Sequence, residues 1–236
     1  MFKPKEVLLL LYIVVLTALL PIISNWTTGI IVFDSLSEVI NKQIVYQLVT
    51  FFISIVFLLV LRWTKKTEFH LHFRKGNLSA AIVPEPMIGI KPTENENWSH
   101  LGRNFAIIIS TVTAVVIYFQ LIRNNGVSIE NIFKVLPFSL IFAFFNSFVE
   151  ETITRLGVVV VLKNVLKDKT IALLSAIIFG TVHYWGNPGG IAGVLLAGFL
   201  GWLLAKSILE IKGIFWAWFI HFLQDVIIFS ALLTAM

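Results

Sequence analysis

Cysteine is missing from this chain and charge is scarce: only 13% of its 236 residues are Asp, Glu, Lys or Arg. The missing thiols exclude disulfide scaffolds, cysteine nucleophiles and cysteine-ligated zinc or iron–sulfur centres. Soluble domains carry about 25% charged residues, and half that proportion cannot cover a water-facing surface. A soluble enzyme is thereby excluded. Also absent are a nucleotide-binding glycine motif, an HExxH and a GxSxG. What the chain has in abundance is apolar surface, at 58% of residues and a mean hydropathy of +0.90. The expected class is all-α: a polytopic transmembrane helix bundle, one integral membrane domain over residues 1–236.

A membrane-crossing helix needs roughly 20 mostly apolar residues. Val7–Ser24, Gln43–Leu61 and Asn104–Ile122 each meet that requirement without a charge. The N-terminal run is longer than a signal-peptide core and is followed by no A-x-A-like site, so it reads as a retained first helix. Leu136–Val149 is apolar, is interrupted by Glu150, Glu151 and Arg155, and resumes at Leu156–Leu162. Thr170–Ala205 lacks Lys, Arg, Asp and Glu over 36 residues, too long for one crossing. Its Gly186-Asn187-Pro188-Gly189-Gly190 run is a turn signal that splits it into two helices. Ile214–Leu233 completes a set of about seven spans.

Lys and Arg set the expected orientation. With the N-terminus in the cytoplasm, 14 of the 18 basic residues fall on the inner side, Lys42, Arg123 and Lys134 fall outside, and Arg155 lies within the membrane. An odd number of spans then puts the C-terminus outside, in a multi-pass protein of the cell membrane. The net charge of +5 is accordingly a topology signal and a fit to anionic lipid, and the lipid bilayer rather than nucleic acid is the expected partner. The one sizeable polar stretch, residues 62–103, is expected as a cytoplasmic loop between the second and third spans. Within it, Phe69-His70-Leu71-His72-Phe73 reads as a short strand or an interfacial segment, with His70 and His72 solvated rather than chelating a metal.

Chemistry is expected where ionisable groups sit in hydrocarbon. Such a charge costs at least ~2.5–3.5 kcal/mol at the bilayer centre, which makes it a functional candidate by default. Six qualify, all within residues 136–236: Glu150, Glu151 and Arg155 on the fourth span, His183 on the fifth, His221 and Asp225 on the seventh. Counted from the nearest inner lysine at about 1.5 Å per residue, Glu150, His183 and Asp225 all lie about 20 Å deep, with His221 and Arg155 shallower at roughly 12–14 Å. Their common depth implies one intramembrane polar cavity. Glu151 and Arg155, at i,i+4 with the acid first, form an in-helix ion pair. Glu150, about 100° round the helix, is left to face the cavity. Phe179, one turn before His183, can wall its ring. Gly189, Gly193, Ala197 and Gly201 form a small-residue stripe that permits close helix approach.

The set Glu150-Glu151-x-x-x-Arg155, Phe179-x-x-x-His183 and His221-x-x-x-Asp225 resembles the motifs of the CPBP family, the CAAX-protease and bacteriocin-processing membrane proteins also called Abi. The likeness runs from about Leu136 to the C-terminus. It implies an intramembrane endopeptidase in which Glu150 and His183 activate water while His221 and Asp225 stabilise the oxyanion. Glu151, Arg155 and Phe179 are then structural residues at the site. The third motif of the family usually ends in asparagine, and this chain has Asp225. That aspartate either carries a proton and donates like an amide, or is ionised and accepts from His221. No cofactor is expected. Zinc held by His183, His221 and Glu150 with an open position is the metal alternative.

The implied substrate is a peptide or a protein, prenylated or not. A transporter or proton-relay protein would use buried Glu, His and Asp equally well, but no inverted repeat is evident and the groups cluster at one depth instead of lining a path. A non-catalytic immunity or scaffold protein that retained the motifs is the third reading.

Overall fold

Local signals start and stop the helices. Pro4 opens α1 (Pro4–Trp26) at a position where its missing N–H is not needed. The Ser37 hydroxyl caps α2 (Glu38–Thr64) by accepting from the Ile40 amide. Between them, buried Asn41 reaches back from α2, accepting from the Val32 and Phe33 amides and donating to the Phe33 carbonyl. The computed structural model describes residues 3–123, 129–186 and 189–235. It continues with α3 (Lys66–His72), α4 (Trp98–Ile117), α5 (Ile129–Glu150), α6 (Gly157–Leu162), α7 (Asp168–Val182), α8 (Gly190–Ile211) and α9 (Phe215–Thr234). π-Helical turns over Tyr118–Ile122 and Glu151–Leu156 extend α4 and join α5 to α6. The chain is an all-α, multi-pass membrane bundle.

Among the described residues, six helical stretches are long and apolar enough to cross a membrane: Pro4–Trp26, Glu38–Thr64, Trp98–Ile122, Glu130–Leu162, Gly190–Ile211 and Phe215–Thr234. The fifth of the seven expected spans is α7, with 15 residues and one added 3-10 turn at His183–Trp185. At about 1.5 Å per residue its α-helical part is ~22 Å long, short of the ~30 Å hydrocarbon core. It packs as a hairpin against α8 through small residues. A Cβ on Gly180 would lie 2.8 Å from the Val194 carbonyl oxygen, and one on Gly201 would lie 3.2 Å from Phe179 Cβ. The small-residue stripe on α8 thus lets the two backbones approach. Of the turn run expected between them, Asn187 and Pro188 lie outside the described residues.

The polar stretch 62–103 differs from expectation. Phe69–Phe73 is not a strand: Lys66–His72 is a helix. Residues two apart on a helix point to opposite sides, so His70 is exposed while His72 is fully buried. The two rings diverge and do not form a solvated pair. Residues 73–97 fold back as a clasp over the α8–α9 turn. The Asn77 amide donates to the Ile211 carbonyl and the Ile214 amide to the Arg74 carbonyl, each at 2.8 Å. Gly76 and Gly213 touch backbone to backbone, with no room for a Cβ on either. Glu210 anchors the clasp, accepting from Trp98 Nε1 at 2.8 Å and from the Val83 amide at 3.1 Å while paired with buried Lys206.

Candidate active site

The site is built on the helix that carries two adjacent acids. Immediately after Glu150 the backbone widens into the π-helical turn Glu151–Leu156, every residue of which is buried. Such turns loosen the hydrogen-bond ladder and concentrate at functional sites. Here the loosened carbonyls are braced by hydroxyls. Thr154 Oγ1 donates to the Glu150 carbonyl at 2.6 Å, and Ser175 Oγ on α7 donates to the Thr154 carbonyl at 3.0 Å. In hydrocarbon these braces replace what water cannot supply.

Glu151 forms the expected pair with Arg155, Oε1 to Nη1 at 3.1 Å, both side chains fully buried. It does more than neutralise the arginine. The same Oε1 lies 2.7 Å from Nδ1 of His221, so it joins the π turn to α9. Arg155 also donates to Thr154 Oγ1 at 2.8 Å, and its guanidinium carbon stands 3.3 Å above the centroid of the Phe179 ring, a cation–π contact. Phe179 walls His183, as expected, with ring centroids 4.1 Å apart. It also meets His221 edge-on at 5.6 Å.

In front of this layer lies a cavity of about 530 Å³ lined by Glu150, His183, His221 and Asp225. All four candidate catalytic residues are therefore brought together, while Glu151 and Arg155 stand behind. His183 Nδ1 lies 2.8 Å from the Phe179 carbonyl oxygen. A carbonyl can only accept, so Nδ1 carries the proton and Nε2 is left with a lone pair. His221 likewise commits Nδ1 to Glu151, and its Nε2 lies 3.6 Å from both Glu150 Oε2 and Asp225 Oδ1. Apolar side chains make up much of the remaining lining, among them Ile108, Val112 and Val116 of α4 and Leu196 and Leu200 of α8. A second, smaller pocket of about 170 Å³ reaches Glu150 and His183 from the side of α1.

Three polar features escaped the sequence reading. Asn146, one turn before Glu150, donates from Nδ2 to Glu150 Oε1 and to Asp225 Oδ2, each at 3.1 Å. Its i,i+4 spacing from Glu150 was the available signal. Tyr46, on α2, lines the same cavity. Gln224, beside Asp225, bonds Thr113 and Ser110 and so ties α9 to α4. Neither Tyr46 nor the Gln224 partners could be found from sequence spacing, since the contacts join distant helices. Among the described residues no three His, Asp or Glu side chains converge closely enough to hold a metal ion. His183, His221 and Glu150, the set expected for the zinc alternative, do not form such a cluster.

Residues 131–227 match the family model described as type II CAAX prenyl endopeptidase Rce1-like. The match spans α5 to most of α9 and includes all seven motif residues, so the likeness to CAAX proteases read from those motifs is borne out over this region. No curated protein and no solved structure matches the chain.

Proposed function

We propose that this protein is an intramembrane endopeptidase that hydrolyses a peptide bond with water activated by Glu150 and His183, without a metal. One observation carries the reading: Glu150, His183, His221 and Asp225, drawn from three separate helical segments, line one cavity inside a membrane bundle. The family match at residues 131–227 supports a protease of the CAAX type.

The chemistry follows from the bonds each group has left. Water sits between the Glu150 carboxylate and His183 Nε2, the two acceptors facing the cavity, and gives its proton to Glu150 as its oxygen adds to the scissile carbonyl. The resulting oxyanion accepts from His221 Nε2–H, whose ring is oriented and charge-supported by the Glu151 carboxylate at Nδ1. Glu150 then passes its proton to the leaving nitrogen. The C–N bond breaks, and a carboxylic acid and an amine are released. The apolar side chains of α4 and α8 suit a hydrophobic segment, so a peptide or a prenylated protein tail is the substrate class. The distribution of Lys and Arg supports a cytoplasmic N-terminus.

The test is proteolysis in detergent against a panel of prenylated CAAX tails, bacteriocin leaders and peptide pheromones. The parent should cleave at least one substrate and Glu150→Gln none, with both proteins melting at similar temperatures. Equal cleavage by parent and variant, or none by the parent, would overturn the reading.

A further inference from the structure

Asn146 stands out from its helix. Its neighbour Ser147 spends its hydroxyl on the Ala143 carbonyl, whereas the Asn146 Nδ2 faces two acids at once, Glu150 on its own helix and Asp225 on α9, at 3.1 Å each. Both partners are carboxylates, which accept, so the amide must present its nitrogen rather than its oxygen to them. The two N–H bonds of one nitrogen are thereby spent on two acids. Three carboxylates meet in this small volume, those of Glu150, Glu151 and Asp225, and the cation behind them, Arg155, is committed to Glu151. Without a donor between them, Glu150 and Asp225 would repel and turn apart.

We infer that Asn146 is a positioning residue that clamps Glu150 and Asp225 together, holding one oxygen of each so that the other faces His221. The distances agree with that division. Asn146 takes Glu150 Oε1 and Asp225 Oδ2, leaving Glu150 Oε2 and Asp225 Oδ1 each 3.6 Å from His221 Nε2. Glu150 Oε2 is buried with no hydrogen-bond partner of its own, as expected of an oxygen kept free for the reaction. The amide is needed at the junction of α5 and α9, where a donor can touch both acids. Its hydrogen bond to Glu150 alone could be satisfied within α5.

The inference rests on the endopeptidase reading for its catalytic consequence but not for the clamp. Asn146→Asp puts a third acid against the other two and should lower kcat at least 100-fold and depress the melting temperature. The swap Asn146→Asp with Asp225→Asn returns one amide and one acid to the pair. It should recover at least tenfold in kcat over Asn146→Asp and most of the lost melting temperature. Asn146→Ala, which adds no charge, should lower kcat with KM unchanged. A swap that regains thermal stability but not turnover would make the contact merely structural, and a swap that regains neither would remove the clamp altogether. An Asn146→Asp variant with parental kcat would do the same. Should the parent cleave no peptide, the endopeptidase reading falls, and recovery of melting temperature in the swap still decides the clamp.

Discussion

His221 and Glu151, 70 residues apart in the chain, are joined by a 2.7 Å contact between Nδ1 and Oε1 inside the bundle. Arg155 reaches the same carboxylate oxygen from behind at 3.1 Å. One buried acid therefore neutralises a buried cation and orients the histidine that faces the cavity. Its removal should have two separable consequences. Glu151→Ala orphans Arg155 and should cost about 3–5 kcal/mol of stability, read as a lower melting temperature and yield in detergent. Glu151→Gln keeps an acceptor for His221 and should fold better. It should still lose roughly tenfold or more in kcat, since a charged hydrogen bond is worth about 1.5–3 kcal/mol and about 1.4 kcal/mol is tenfold in rate. Parental turnover in a folded Glu151→Gln would detach this acid from the chemistry.

Asp225 is the second case. Its Oδ2 already accepts from Asn146, and an asparagine oxygen can accept in the same way. The amide nitrogen of Asp225→Asn would then lie on the side of His221 Nε2, where, like Nε2–H, it can donate only to the oxyanion. The variant should retain at least roughly a tenth of parental kcat/KM, within ~1.4 kcal/mol. Complete loss at every pH in a protein with the parental melting temperature would instead show that an ionised Asp225 is required.

Metal dependence is decided by chelation. Initial rates should be unchanged by EDTA or 1,10-phenanthroline, and elemental analysis should find well under one zinc per chain. Activity lost on chelation and restored by Zn²⁺ would make His183 and His221 ligands and would require the side chains to move from the positions described here.

Outside the membrane, His72 should make stability pH-dependent. Burial holds its imidazole below the usual histidine range, while its Nδ1 donates to the Glu68 carbonyl at 2.9 Å. A base whose pKa is lower in the folded state is destabilising when protons are abundant. The unfolded chain takes up the proton near the ordinary value of 6.5 and the folded one does not. Stability is thus complete above that pH and falls as the pH drops through it. Melting temperatures from pH 8 to pH 5 should decline less for His72→Gln than for the parent. Parallel curves would remove His72 as the cause.

Glu210 is expected to hold the clasp of residues 73–97 against the end of α8. Glu210→Ala removes the acceptor of Trp98 Nε1 and of the Val83 amide and leaves Lys206 buried without its acid. Limited proteolysis should cut within residues 77–97 faster in the variant, whereas an unchanged cleavage pattern would show that the backbone bonds at Asn77 and Ile214 suffice.

Much of this protein is determined by local sequence. Apolar run length dictates a membrane helix, and the rise per residue places Glu150, His183 and Asp225 at one depth whatever the rest of the chain does. Spacing within a helix is equally local, so the Glu151–Arg155 pair and the Phe179–His183 contact could be read directly. What spacing does not contain is how one helix is rotated and tilted against another, because that follows from packing of the whole bundle. The partner of His221 was the largest consequence. The i,i+4 pattern offered Asp225 as one partner, and the two do face each other at 3.6 Å through Nε2. The rotation of α9 against the π turn nonetheless gave Nδ1 to Glu151 and let Asp225 share an amide with Glu150. The short α7 and the helix at Lys66–His72 were decided the same way. Close packing on α8 holds α7 with 15 residues, and burial of one side of α3 turned an alternating pattern into a helix with His72 inside and His70 in water.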